Sequence, residues 1–408
     1  MKSFATAAIA ATIIGAASAK KCQNITVPVT ISARNAKLDQ TKLTPRSNID
    51  VTNFVLDNTQ QGHNNTMEEP KGYQTVTGSY KLATTYCAPD HGAPNVVQLL
   101  THGIGFDRSY WDVPFNNFNY SSTNEAVDEY GFATFSHDRL GIGMSSQGEP
   151  VNEIQIQLEV SALKALTDML RAGKIQGVPK FEKVLHIGHS FGSVQSYALS
   201  SQYPGISDGL GLTGFGQNGS FLPFFQLGGD FGLANLNPAL VKYVNGYLAS
   251  QTQTAAHTNF FAPGDFDPKI LEFATMTGQP VTIGELLTIG GANGAPNPIK
   301  GPVLIITGER DVPFCGGDCL AAPTGFESIP AQSKQFFKNT CKFDAHIVKG
   351  AGHGLNLQYT HTETYKYILE FFTSNGVGPK GEKGGKCGAG KGYGGMPPGY
   401  GPPGKGHY

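Results

Sequence analysis

Six short apolar runs, at 96–101, 132–136, 184–187, 210–215, 303–307 and 345–349, constrain this chain more than any other feature in it. Each is bounded by glycine or polar residues, and each is too short for a buried helix. Runs of that kind suit strands covered on both faces. Longer stretches with helical spacing lie between them. The clearest is 154–171, where Ile154, Leu158, Ala162, Ala165, Leu166 and Met169 fall on one face. Residues 191–202 and 362–373 read the same way. Strand–helix alternation predicts an α/β fold with a mostly parallel, doubly wound sheet. Ahead of it, 25–32 and 79–86 alternate like half-buried strands. The stretch 217–300 breaks the rhythm. It is rich in Gly, Pro, Asn and Phe, with weak helical pieces at 238–249 and 282–289. It predicts a cap or lid insertion over one end of the sheet.

The two ends differ from the middle. Residues 1–19 read as a secretory signal peptide. Lys2 precedes an apolar run too short for a membrane span, and Ala17-Ser18-Ala19 fits a small-x-small cleavage site. Residues 376–408 hold 14 Gly, 5 Pro and 5 Lys among 33 residues, with little to bury, so a disordered tail is expected. Its Tyr and Lys side chains are the groups that would touch cell wall or another surface. The expected organisation is therefore signal peptide 1–19, core 20–216, insertion 217–300, core 301–375 and tail 376–408. No other apolar stretch is long enough to span a membrane. With 30 basic and 31 acidic residues the net charge is −1. That excludes nucleic-acid or membrane-surface binding by bulk positive charge.

Secretion is also the expectation from six cysteines and four N-x-Ser/Thr sequons, at Asn24, Asn64, Asn119 and Asn218. These asparagines accept glycans in a eukaryotic cell. In an oxidising compartment most cysteines should pair. The pairs favoured are Cys22–Cys87 and one bridge within Cys315, Cys319 and Cys341. The Cys315-x-x-x-Cys319 spacing has no second pair of ligands to make a zinc site, so neither metal nor cofactor is expected.

The chemistry centres on Gly188-His189-Ser190-Phe191-Gly192. A G-x-S-x-G pentapeptide is weak evidence alone. Here an apolar run precedes it and a helical pattern follows, so a sharp turn should expose the Ser190 hydroxyl above the sheet. A serine needs a base, and the base needs an orienting acid. His353 follows the run 345–349 on a Gly-rich loop. Asp311 follows the run 303–307, with Glu309 and Asp318 as competing carboxylates. His346 and His361 read as structural. An oxyanion requires donors. The backbone N–H of Phe191 is one, and that of Ile104 the other, with Gly103 as its alternative. The His102 side chain reads as a buried hydrogen-bonding group.

These motifs, with Tyr110-Trp111-Asp112 and Asp138-Arg139-Leu140-Gly141-Ile142-Gly143, resemble the α/β-hydrolase superfamily from about residue 25 to 373. The D-R-x-G-x-G turn is similar to that of its esterase, epoxide-hydrolase and peptidase branches. The secreted, Gly-rich style resembles filamentous-fungal members. Ser190 stands where the epoxide and haloalkane hydrolases carry Asp, which points away from those reactions. The long polar link 33–78 is a departure. The resemblance implies a secreted serine hydrolase acting on a small ester or lactone. The eight phenylalanines of the insertion suit an apolar group, or else they form the insertion's own core. An amidase or aminopeptidase with the same triad would want an acidic anchor, for which Glu285, Asp265 and Asp267 are candidates. A non-catalytic wall or adhesion protein on the same scaffold is the remaining alternative. Gly209-x-Gly211-x-x-Gly214 and Gly214-x-Gly216-x-x-Gly219 spell a dinucleotide-binding pattern in the wrong context, since the first lies on a strand.

Overall fold

In the computed structural model, which describes residues 20–292, 294–379 and 387, the apolar runs assemble into one eight-stranded sheet. In chain order its strands are β1 (Lys20–Ala36), β2 (Tyr73–Pro89), β3 (Val96–Thr101), β4 (Ala133–His137), β5 (Lys183–His189), β6 (Gly209–Thr213), β7 (Val303–Gly308) and β8 (Phe343–Val348). The spatial order is β1-β2-β4-β3-β5-β6-β7-β8. Only the pairs β1–β2 and β2–β4 are antiparallel. Every residue of β3, β4, β6 and β7 is buried, which is why those sequences are continuously apolar rather than alternating.

Helices α2 (Ile156–Ala172), α3 (Phe191–Gln202) and α9 (His361–Ser374) cover the sheet, and all three lie within a few residues of their sequence patterns. Before them, the 33–78 link contains α1 (Asn48–Asn58). The Oδ1 of Asn48 accepts a hydrogen bond from the Leu233 N–H at 2.9 Å, and Asn58 Nδ2 donates to Gln226 Oε1 at 2.8 Å. The link therefore braces the insertion.

Within 217–300 lie α4 (Leu222–Gly228), α5 (Gln253–Phe260), α6 (Pro268–Met276) and α7 (Ile283–Thr288). A three-stranded sheet of Phe231–Leu233, Tyr247–Ser250 and Val281–Thr282 joins them. The weak helix expected at 238–249 is instead a single 3-10 turn, Pro238–Leu240, followed by that central strand. Gly246, at φ +103°, ends the helical pattern there. The insertion is fastened to the core at several points. Gly284 N donates to Pro150 O at 2.8 Å, Gln279 N to Gly105 O at 3.0 Å, and Gly354 N to Phe260 O at 2.8 Å.

Three disulfides are present: Cys22–Cys87, Cys315–Cys319 and Cys341–Cys387. The third corrects the expected tail boundary. Val377 is buried against the main core and Lys183 Nζ donates to Gly376 O, so the body extends past 375. The signal peptide expected at 1–19 and the chain from 380 on, Cys387 excepted, lie outside the described residues. No helix among the described residues is long and apolar enough to cross a membrane.

Candidate active site

Strand β5 passes into α3 through Ser190 alone. Its backbone sits at φ 54°, ψ −118°, a conformation that costs a non-glycine residue strain energy and that the surroundings must enforce. The Ser190 N–H donates to Thr213 O at 2.9 Å. The flanking glycines let the chain turn. A Cβ on Gly188 would lie 2.3 Å from Gly192 O, and one on Gly192 would lie 2.1 Å from Thr101 O. The constraint at Gly192 thus comes from the neighbouring strand β3 as well as from the turn. Ser190 remains partly exposed between two buried neighbours, His189 and Phe191. Phe191 is the first residue of α3, and its N–H has no acceptor within the helix. The positive end of the helix dipole lies at the same point.

Past the end of β7, Asp311 caps the short helix α8 (Val312–Cys315) by accepting the Phe314 N–H at 2.8 Å on Oδ1. Its other oxygen, Oδ2, accepts from Thr307 Oγ1 at 2.5 Å and pairs with His353 Nδ1 at 2.7 Å. Both partners are fully buried. The competing carboxylates are engaged elsewhere: Glu309 accepts the Gly350 N–H at 2.9 Å, and Asp318 accepts the Leu320 N–H at 3.0 Å. Because a carboxylate faces Nδ1, that nitrogen carries the proton and Nε2 is left with its lone pair. Nε2 is buried and makes no hydrogen bond, so the contact expected with the Ser190 hydroxyl is not closed in this geometry. The His353 ring lies between Phe260 and Phe314, at centroid distances of 6.1 and 5.8 Å. His346 stacks on Tyr367, and His361 bridges Gln358 O and Asn119 O, so neither enters the site.

The loop after β3 forms the opposite wall. A Cβ on Gly103 would lie 2.9 Å from Ser190 Cβ, so only glycine lets this backbone approach the serine. His102 Nε2 accepts the Arg139 N–H at 3.0 Å, which leaves the proton on Nδ1, and Nδ1 donates to Gly103 O at 2.9 Å. The Gly103 carbonyl and the Ile104 N–H share one planar trans peptide and point in opposite directions. Holding the carbonyl on His102 therefore turns the Ile104 N–H away from it. Burial, reinforced by the nearby Arg139 charge, pushes the His102 pKa well below its ordinary value, so this tautomer persists.

Sequence reasoning missed two neighbours. His189 packs between Tyr110 and His353, at centroid distances of 4.4 and 4.9 Å, and Tyr110 meets Trp111 edge-on at 5.3 Å. Burial, with His353 and His102 close by, pushes the His189 pKa well down. Gly214, at φ +54°, leaves room for both histidine rings, since a Cβ there would lie 2.8 Å from His189 and 2.9 Å from His353. The second neighbour is Arg139, 4.7 Å from the centre of the Phe191 ring and paired with Glu159 and Glu285. Burial raises the pKa of Glu159 well above the carboxylate range. Glu285 is thus committed to Arg139 and is not the substrate anchor considered above. Asp265 accepts from Thr360 Oγ1 at 2.7 Å, and Asp267 caps α6. The sequons are all reachable: Asn24, Asn64 and Asn119 are exposed and Asn218 is partly so. Cys315 and Cys319 are bonded to each other rather than open to a metal. A cavity of about 430 Å³ lies elsewhere, lined by Lys42, Asn53, Phe54, Asp57, Glu69 and Leu287 among others, and shares no residue with the site.

A strained serine between strand and helix, an Asp–His pair past the ends of two later strands and a glycine-lined loop across from the serine meet at one end of the sheet. The chain matches the alpha/beta hydrolase family over residues 98–364 and belongs to it. Among solved structures it is similar to an esterase from Thermogutta terrifontis, at 15% identity and TM-score 0.48, covering 72% of this chain and 94% of that one. It is similar to an enol-lactonase from Burkholderia xenovorans LB400, at 17% identity and TM-score 0.47, covering 72% and 97%. It also resembles an epoxide hydrolase from Vigna radiata, at 16% identity and TM-score 0.44, covering 72% and 94%. No curated protein matches it.

Proposed function

We propose that this hydrolase is a secreted serine esterase that cleaves carboxylic esters or lactones through Ser190, His353 and Asp311. The observation that carries the reading is the buried 2.7 Å pairing of Asp311 with His353 Nδ1 beside the strained Ser190 elbow. In the first step the Ser190 Oγ bonds to the ester carbon while its proton passes to His353 Nε2. The carbonyl electron pair moves onto oxygen, which takes hydrogen bonds from the N–H groups of Phe191 and Ile104, or of Gly103 in its place. The intermediate collapses, and the alcohol leaves with the proton held by His353. Water then repeats the sequence on the acyl-serine and releases the acid. Asp311 holds the imidazole in the required tautomer throughout.

Three disulfides and four accessible sequons favour an oxidising, extracellular location. An amide substrate with a free amine is the weaker reading, because Glu285 is sealed against Arg139, Asp265 is held by Thr360 and Asp267 caps α6. A series of nitrophenyl esters set beside aminoacyl anilides tests the choice. Ester turnover should dominate, and a fluorophosphonate probe should label the wild type but not Ser190→Ala. Absence of labelling would favour a non-catalytic wall or adhesion role.

A further inference from the structure

Phe260, the last residue of α5, belongs to the insertion yet lies between the two loops that carry the chemistry. Its carbonyl oxygen accepts the Gly354 N–H at 2.8 Å and Gln358 Nε2 at 3.1 Å, which fixes its backbone to the His353 loop. Its ring rests 4.7 Å from the Phe106 ring and 6.1 Å from the His353 ring. On the oxyanion side, a Cβ on Gly105 would lie 3.1 Å from Phe260 Cζ. The ring therefore fills the space between the oxyanion loop and the base.

A second space adjoins it. A narrow cleft of about 30 Å³ runs into the insertion, with Phe260, Phe106, Leu240, Ala249, Ala256 and Ala274 on its apolar side and Asn237, Ser250, Thr252, Thr275 and Gln279 on its polar side. The six residues of the apolar side are all buried, and three are alanines whose methyl groups leave a smooth apolar wall. The cleft shares Gly105 with the loop beside Ser190. Its apolar side offers a wall to a hydrocarbon arm, and Phe260 stands where that side meets the loop beside Ser190.

We propose that Phe260 is the residue that sets substrate length, stopping one apolar arm of the ester short of this cleft and restricting the enzyme to short-chain esters or small lactones. This rests on the esterase reading above. Replacing the ring opens the space at the serine into the cleft, and a longer hydrocarbon arm then has a wall to lie on. Each methylene newly accommodated in such a slot is worth about tenfold in specificity.

The test is kcat/KM across two homologous series: nitrophenyl esters from acetate to decanoate, and acetates of methyl to octyl alcohols. Wild type should fall away early in one series. In that series Phe260→Ala should move the optimum to longer chains, with the long-to-short ratio rising by about tenfold or more. Phe260→Leu keeps an apolar filler and guards against misfolding of the larger deletion; it should move the optimum in the same direction by less. Phe260→Trp should shorten it. Unchanged profiles in all three folded variants overturn the proposal, as does a wild type that takes decanoate as readily as butyrate. Ser190→Ala, run in parallel, separates the cases. If it abolishes turnover while the profiles stay fixed, the esterase reading stands and the role of Phe260 falls.

Discussion

At the scale of single residues, Ser190→Ala should lower turnover by about 10³-fold or more with the fold intact, because a hydroxyl on a partly exposed elbow carries little packing. Near wild-type hydrolysis by that variant would sink the mechanism. Asp311→Asn should cost on the order of 10⁴-fold, since an amide in that position favours the wrong imidazole tautomer. Glu309→Gln should cost little, because its partner is the Gly350 N–H and a Gln oxygen can still accept it. Measured kcat/KM for the two variants, side by side, checks the assignment. The positions of Ser190, Asp311 and His353 just past strand ends were legible in the sequence because each follows an apolar run. His189, Arg139 and Phe260 were not. Their roles depend on partners 164, 146 and 93 positions away, at His353, Glu285 and His353 again, and no local pattern encodes such a meeting.

At the scale of elements, the contact between α3 and β3 decides whether the elbow holds its shape. Gly192→Ala would drive a methyl group into the Thr101 carbonyl at 2.1 Å, backbone against backbone, and nothing flexible is there to yield. We expect the helix start to move, with turnover falling by about 10²-fold, as a small misplacement of a reacting group commonly costs. Thermal melting should fall as well. A variant with wild-type rate and melting temperature would show that the two elements are not in this contact. The strands and the three long helices were readable because burial on both faces, or on one helical stripe, leaves a periodic mark. The insertion was read less well. Its strand at Tyr247–Ser250 is only four residues long and follows a 3-10 turn, so the apolar spacing of 238–249 imitates a helix that Gly246 interrupts.

At the scale of the whole molecule, stability should fall in mild acid. His137 and His186 are buried in the sheet, and burial pushes the pKa of each down to about 3. In the folded protein they stay neutral, while in the unfolded chain they gain protons near the ordinary value of about 6.5. Their stabilising effect is therefore intact above that value and is lost as pH falls from about 6.5 toward 3, at about 1.4 kcal/mol per pH unit for each. Melting followed across that range should show the decline, and His186→Gln, which keeps amide groups for Thr167 and Ser207, should reduce its slope by about one proton. An unchanged slope would mean that His186 is charged in the fold. Truncation tests the tail in the same way. Cutting after Cys387 should leave melting nearly unchanged. Cutting at 375 removes buried Val377 and the Cys341–Cys387 bond, a loss of the order of 2–4 kcal/mol from the crosslink alone.

Trp111 is the only tryptophan in the chain, and it is buried against Tyr110, which in turn lies on His189 next to Ser190. Tryptophan emission from this protein therefore has a single origin, separated from His189 by one tyrosine ring. In the proposed mechanism, acylation of Ser190 should perturb that short aromatic column and change the emission, which makes Trp111 a built-in optical reporter. Stopped-flow fluorescence would then time the proposed covalent step with natural, colourless esters and no added dye.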